Sequence, residues 1–136
     1  MHGLVFHIAL ALYLASTAAY LLLIAVRARW AGVLGHYLLL AGFSFHFLSI
    51  LLRFFVAGYT PITNIHESLS FFALAIAGFF LFIKRNHPVD ILGGIILPII
   101  AVMLIWASFL PSEIRPLPPV LRSYWLPIHT IFSFLG

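Results

Sequence analysis

Apolar positions in this chain gather into four long runs, 3–26, 33–52, 69–83 and 91–110, and a fifth begins near Leu126. Short breaks rich in charge or proline separate them. A helix rises about 1.5 Å per residue, so roughly 20 apolar residues cross a hydrocarbon layer of about 30 Å. The first, second and fourth runs reach that length directly. The third reaches it when its polar N-terminal turn is counted. None of the runs alternates with period 2, which excludes the strands of a closed barrel. The pattern predicts an all-α fold, a single transmembrane helical bundle over 1–136, with four complete helices and the start of a fifth.

Helix punctuation agrees with this division. Asn64 is placed to cap the third helix with Glu67 three residues on, the spacing of a capping box. Asp90 falls where the positive end of the fourth helix favours an anion. Pro98 lies inside that helix, with Gly93 and Gly94 one turn earlier, and a bend is expected there. The segment 111–119, with four prolines, reads as stiff and extended. No internal repeat is present.

Composition removes the soluble alternatives. The chain is 64% hydrophobic and 7% charged, with mean hydropathy +1.18. A soluble domain carries roughly a quarter charged residues, so no water-facing surface can be built. The high isoelectric point rests on seven basic residues against three acidic ones. They sit at helix ends, as membrane topology requires, and do not indicate a nucleic-acid partner. Arg27 and Arg29 follow the first run and Lys84 and Arg85 the third, which assigns both breaks to the cytoplasmic side. The N-terminus and the breaks at 57–66 and 111–124 then lie outside, although the latter carries Arg115 and Arg122. Trp30, Tyr59, Trp106, Tyr124 and Trp125 fall near helix ends, as an interfacial belt does. The first run is too long for a signal-peptide core and has no basic leader, so it reads as a retained helix. With no cysteine in the chain, disulfides and thiolate metal sites are excluded. The fifth run is cut after about ten residues, roughly 15 Å of helix, which reads as the N-terminal portion of a longer protein.

Polar groups inside membrane helices are rare and usually purposeful. His46, Ser49 and Arg53 recur at helical spacing and form one polar stripe on the second helix. Two readings of His46 stand here: a neutral imidazole bonded to a neighbouring carbonyl, or a ligand or proton-relay group. Arg53 is open to snorkelling outward, to pairing with Glu67, or to clamping an anionic ligand through its planar fork. His129 follows Trp125 by one turn on a shared face. His7 and His66 fall on the outer side, and His2 and His87 read as ordinary interfacial residues. No nucleophile triad, phosphate loop or paired-histidine zinc motif occurs.

The segment Pro61-Ile62-Thr63-Asn64-Ile65-His66-Glu67-Ser68-Leu69-Ser70-Phe71-Phe72 resembles the opening of a helix in cytochrome c assembly proteins of the CcsA/ResC (system II) type. There a Pro-x-x-Asn-x-Tyr-Glu-Ser pattern is usual, and here His66 replaces the tyrosine. Arg53 and Gly58 before it also fit. The segment Ser123-Tyr124-Trp125-Leu126-Pro127-Ile128-His129 is similar to the stretch leading into the family's first external haem-ligand histidine. The two segments occur in the family's order, about sixty residues apart, and the likeness extends loosely over the whole chain.

This resemblance implies a haem-handling protein of the bacterial inner (cytoplasmic) membrane. Such a protein presents haem b at the outer face for thioether attachment to an apocytochrome c, together with a ResB/CcsB-type membrane partner. Full-length members act as part of a cytochrome c synthase; this portion is not expected to be active alone. By residue match His129 is an axial ligand of the haem iron. Trp125, Arg53 and Arg122 are expected near the porphyrin and its propionates, and His46 is a further candidate. The second external histidine and the Trp-rich segment of the family lie outside these residues. Two other readings are a related membrane protein that affects haem biosynthesis without ligation, and a transporter or assembly scaffold whose polar stripe is structural.

Overall fold

The computed structural model describes residues 2–58, 62, 64–113 and 125–136. Five helices follow in order: α1 (His2–Val26), α2 (Arg29–Ala57), α3 (Ile65–Asn86), α4 (Asp90–Phe109) and α5 (Trp125–Leu135). The first four are each long and apolar enough to cross a membrane, and the expected helical membrane bundle is what forms. No strand occurs among the described residues. At about 1.5 Å per residue α4 spans close to 30 Å and α2 more than 40 Å. The apolar runs understate α2 and α3, because helix continues through polar end residues such as Arg29, Glu67, Lys84 and Arg85.

Helices α1 to α4 run up and down and close into a ring. The packing is most extensive between α1 and α2, substantial for α1 on α4 and for α3 on α4, and thinnest between α2 and α3. Each helix turns one narrow seam inward. Along the seams the buried positions include Phe6, Ala9, Tyr13, Ser16 and Tyr20 on α1, and Gly35, Leu39, Gly42, His46, Ser49 and Arg53 on α2. On α3 they include His66, Ser70, Ala73, Ala77 and Phe80, and on α4 Gly93, Leu97, Ile100, Leu104 and Ala107, with Glu67, Leu74, Gly94 and Ala101 buried beside them. Steps of three and four alternate along all four seams, the repeat of helices packed at shallow left-handed crossings. The large apolar side chains Phe47, Phe55, Phe79, Phe82 and Ile91 point outward, as suits hydrocarbon. Helix α4 stays helical through Pro98.

Small residues set the spacing, because association in lipid relies on close packing and interhelical hydrogen bonds. The Tyr20 ring is fully buried between Gly35 of α2 and Gly93 of α4. A methyl group added at Gly93 would stand 2.5 Å from that ring, and one at Gly35 2.8 Å from it. On the α1–α2 interface Ser16 Oγ donates to the Gly35 carbonyl at 2.7 Å. At the pole where α3 ends and α4 begins, Lys84 Nζ donates to the Tyr20 hydroxyl and pairs with Asp90. That pair joins the end of α3 to the start of α4.

The turns are short. α1 and α2 are joined by Arg27 and Ala28 alone, with Arg27 in the left-handed region at φ 55°. An L-residue pays about 1–2 kcal/mol for that conformation. Gly58 ends α2 at φ 71°, its N–H bonded to the Phe54 carbonyl at 2.9 Å. This is an αL helix cap of the kind that favours glycine.

Two stability predictions follow from this packing. Gly93→Ala should cost about 1–3 kcal/mol in reversible detergent unfolding, since the buried Tyr20 ring has no room to yield. Gly3→Ala, with open space around it, is the control; equal effects from the two would refute the clamp. Arg27→Gly should raise stability by about 1 kcal/mol in the same assay by relieving the backbone, and an unchanged or lower value would refute that strain.

Candidate functional site

The polar residues of the bundle interior converge on the pole opposite Lys84, where α1 and α3 begin and α2 and α4 end. The local sequence sets this up. Asn64 adopts an extended conformation and its Oδ1 accepts the Glu67 backbone N–H at 2.8 Å, the cap expected from the sequence. With α3 started there, Glu67 sits in the first turn, where the helix dipole favours a carboxylate. Its side chain faces α2 and is almost fully buried. Arg53 Nε donates to Glu67 Oε1 at 2.8 Å, with both side chains nearly inaccessible. Pairing, one of the three roles open to Arg53 from sequence, is therefore present.

Only Nε of that guanidinium is accounted for. Nη1 and Nη2 of Arg53 are buried and have no hydrogen-bond partner among the described residues. Arg53 is also one of the residues lining a cavity of about 60 Å³, with Phe6, His7, Ser49, His66, Glu67 and Ser70, and with Gly3 and Ser112 at the end of the bundle. About 10–15 Å³ of such space holds one water, so the cavity takes a few waters or one small ion. It does not admit a porphyrin.

Three histidines surround Phe6. His46 is fully buried, and its Nε2 shares a 2.8 Å hydrogen bond with Ser70 Oγ of α3. The rings of Phe6 and Tyr13 meet it edge-on, with centroids 6.1 and 5.7 Å away. His66 Nδ1 lies 2.7 Å from the Ala107 carbonyl oxygen. A carbonyl only accepts, so Nδ1 carries the proton and a neutral His66 ring keeps Nε2 bare. The same reasoning applies to His7, whose Nδ1 donates to the Gly3 carbonyl at 2.7 Å. No group of three or more His, Asp or Glu residues among those described is arranged to hold a metal ion.

The stripe read from sequence on α2 thus lines or adjoins one interior site: Ser49 and Arg53 border the cavity, and His46 joins it through Ser70. His129 and Trp125 stand elsewhere, both exposed, one turn apart on α5. That helix makes no packing with α1 to α4 comparable to theirs among the described residues. Arg122 lies outside the described residues. Phe6 and Ser70 were not singled out from sequence. Ser70 had a legible signal, because it lies three residues after Glu67 and four after His66 on the same helical face. Phe6 had none, being one apolar residue among many.

Three curated relatives put this geometry in context. The chain is 36% identical over 93 residues to the cytochrome c biogenesis protein CcsA of Prochlorococcus marinus (strain MIT 9312), covering 65% of this chain and 30% of that protein. It is 35% identical over 93 residues to CcsA of Porphyra purpurea, covering 65% of this chain and 29% of the relative. With CcsA of Synechococcus sp. (strain CC9311) it shares 37% over 84 residues, 59% of this chain and 28% of the relative. The chain thus spans under a third of the length of the relatives it matches. No family model matches it, and no solved structure does. Over the sequence shared with these proteins, the chain is similar to part of the CcsA-type cytochrome c biogenesis proteins.

Proposed function

We propose that this chain serves cytochrome c biogenesis by holding haem b, as substrate, at the outer face of the bacterial inner membrane. His129 is the axial ligand in this reading. An apocytochrome c receives the haem, and a ResB/CcsB-type subunit assists as partner. Support comes from the relatives' shared sequence and from one feature of α5: the exposed His129 stands one turn from the exposed Trp125. An imidazole at the iron with an aromatic plane beside it is a reasonable cradle for a porphyrin, whose faces are apolar.

Histidines of the bundle suit that task less well. The ring nitrogens of His7 and His66 bonded to backbone carbonyls restrict their orientation, and His46 is enclosed by Phe6 and Tyr13. His46 then acts as an interior support of the site in this reading. Arg53 and Arg122 remain the cationic groups available to propionates near the outer boundary. The chain's part is to position the haem, and holding reactants together in the correct geometry supplies much of the acceleration in such reactions.

The test is His129→Ala in the full-length protein. Loss of the bound-haem absorption spectrum and of mature cytochrome c is expected. Retention of a normal haem spectrum would refute the assignment, and purification of the unaltered protein without haem would favour a transporter or scaffold.

A further inference from the structure

We infer that the pole of the bundle where α1 and α3 end and α2 and α4 begin is a binding surface for anionic phospholipid headgroups, held by Arg27, Arg29 and Arg85. This goes beyond the haem reading and uses none of the residues assigned to it.

Depth supplies the first argument. Helix α4 opens at Asp90, and its 20 residues cover about 30 Å, the thickness of the hydrocarbon layer. Lys84 of α3 bonds to Tyr20 of α1, and the Ile24 side chain of α1 lies against Gly94 of α4, so these helix ends share one level. Arg27, Arg29 and Arg85 therefore stand just beyond the apolar layer, at headgroup depth, and all three are exposed. Trp30 beside them is 63% exposed, as suits an aromatic ring at that boundary.

Charge supplies the second. The acids of the chain are Glu67, Asp90 and Glu113, and only Asp90 lies at this pole. It is paired with Lys84. Arg27, Arg29 and Arg85 make no ion pair among the described residues. Two helix N-termini and two C-termini meet here, so the macrodipoles largely offset and the side chains set the sign. Guanidinium groups in this position attract lipid phosphates, each adding about a fivefold preference for anionic lipid.

The backbone supplies the third. Arg27 takes the left-handed region at φ 55° in a two-residue turn, where glycine would fit without strain. A side chain held at that cost points to a use for it, and phosphate binding matches its charge and its depth.

The test follows the thermal unfolding midpoint of the full-length protein in detergent as short-chain phosphatidylglycerol is added, against phosphatidylcholine of the same chain length. Phosphatidylglycerol should give the larger rise at equal concentration, and added sodium chloride should shrink the excess. Arg27→Gln/Arg29→Gln/Arg85→Gln should need at least about tenfold more phosphatidylglycerol for the same rise. Arg27→Lys/Arg29→Lys/Arg85→Lys, which keeps the charges, should retain most of the response. Arg27→Gly separates backbone from charge: its midpoint without lipid should rise, yet it should need about fivefold more phosphatidylglycerol. Equal rises with the two lipids in the unaltered protein would overturn the inference, as would an undiminished excess in the uncharged triple variant. The same excess from inorganic phosphate would also overturn it, in favour of a site for free anions. None of these readouts depends on bound haem, so this reading and the haem reading fail separately.

Discussion

A buried arginine facing a buried glutamate, inside a bundle made for hydrocarbon, sets the terms for this molecule. Neither charge is tolerable there alone. Removing one partner of such a pair typically costs about 3–5 kcal/mol, because the other is left uncompensated. The pair is placed where packing is weakest, between α2 and α3. Together with the bond between His46 and Ser70 it ties those two helices by polar contacts, whereas the other three sides of the ring are held mainly by close apolar packing. The α3 cap at Asn64 is part of the same device, since it fixes the turn from which Glu67 reaches α2.

Much of this architecture can be read from the chain before any coordinates. Run length and the lack of alternation define four spanning helices, and the Asn64 cap, the place of Asp90 and the polar stripe on α2 all reappear in the structure. The inward faces of the helices are much harder to see. In water a helix advertises its buried side by apolar contrast, but here both sides are apolar and the contrast vanishes. What marks the interior is smallness and polarity: Gly35, Gly42, Ala73, Ala77 and Gly93 sit inside while Phe47, Phe55 and Phe79 sit outside. The site was legible in part for the same reason. Arg53 and His46 stand out on a greasy helix, but the convergence of Phe6, His7 and Ser70 on one cavity depends on how α1 and α3 rotate, which no local pattern encodes.

The two poles of the bundle divide the labour. One carries Lys84, Asp90 and the Tyr20 hydroxyl, with the basic residues Arg27, Arg29 and Arg85 at the adjoining helix ends. The other carries the Arg53–Glu67 pair, the histidines around Phe6 and the cavity. His129 and Trp125 extend from α5 and depend little on that interior among the described residues. The proposed haem contact on α5 therefore draws on an element apart from the interior of the bundle.

Tyr20 has a mechanical consequence. Its ring is wedged between Gly35 and Gly93 and its hydroxyl is tethered to Lys84, so α1 cannot slide or twist without dislodging α2, α4 and the tail of α3 together. Three helices are thereby locked into a block at one end. Any breathing of the ring has least apolar packing to break along the α2–α3 boundary, and there the ion pair of Arg53 with Glu67 and the bond of His46 to Ser70 are among the ties that must part.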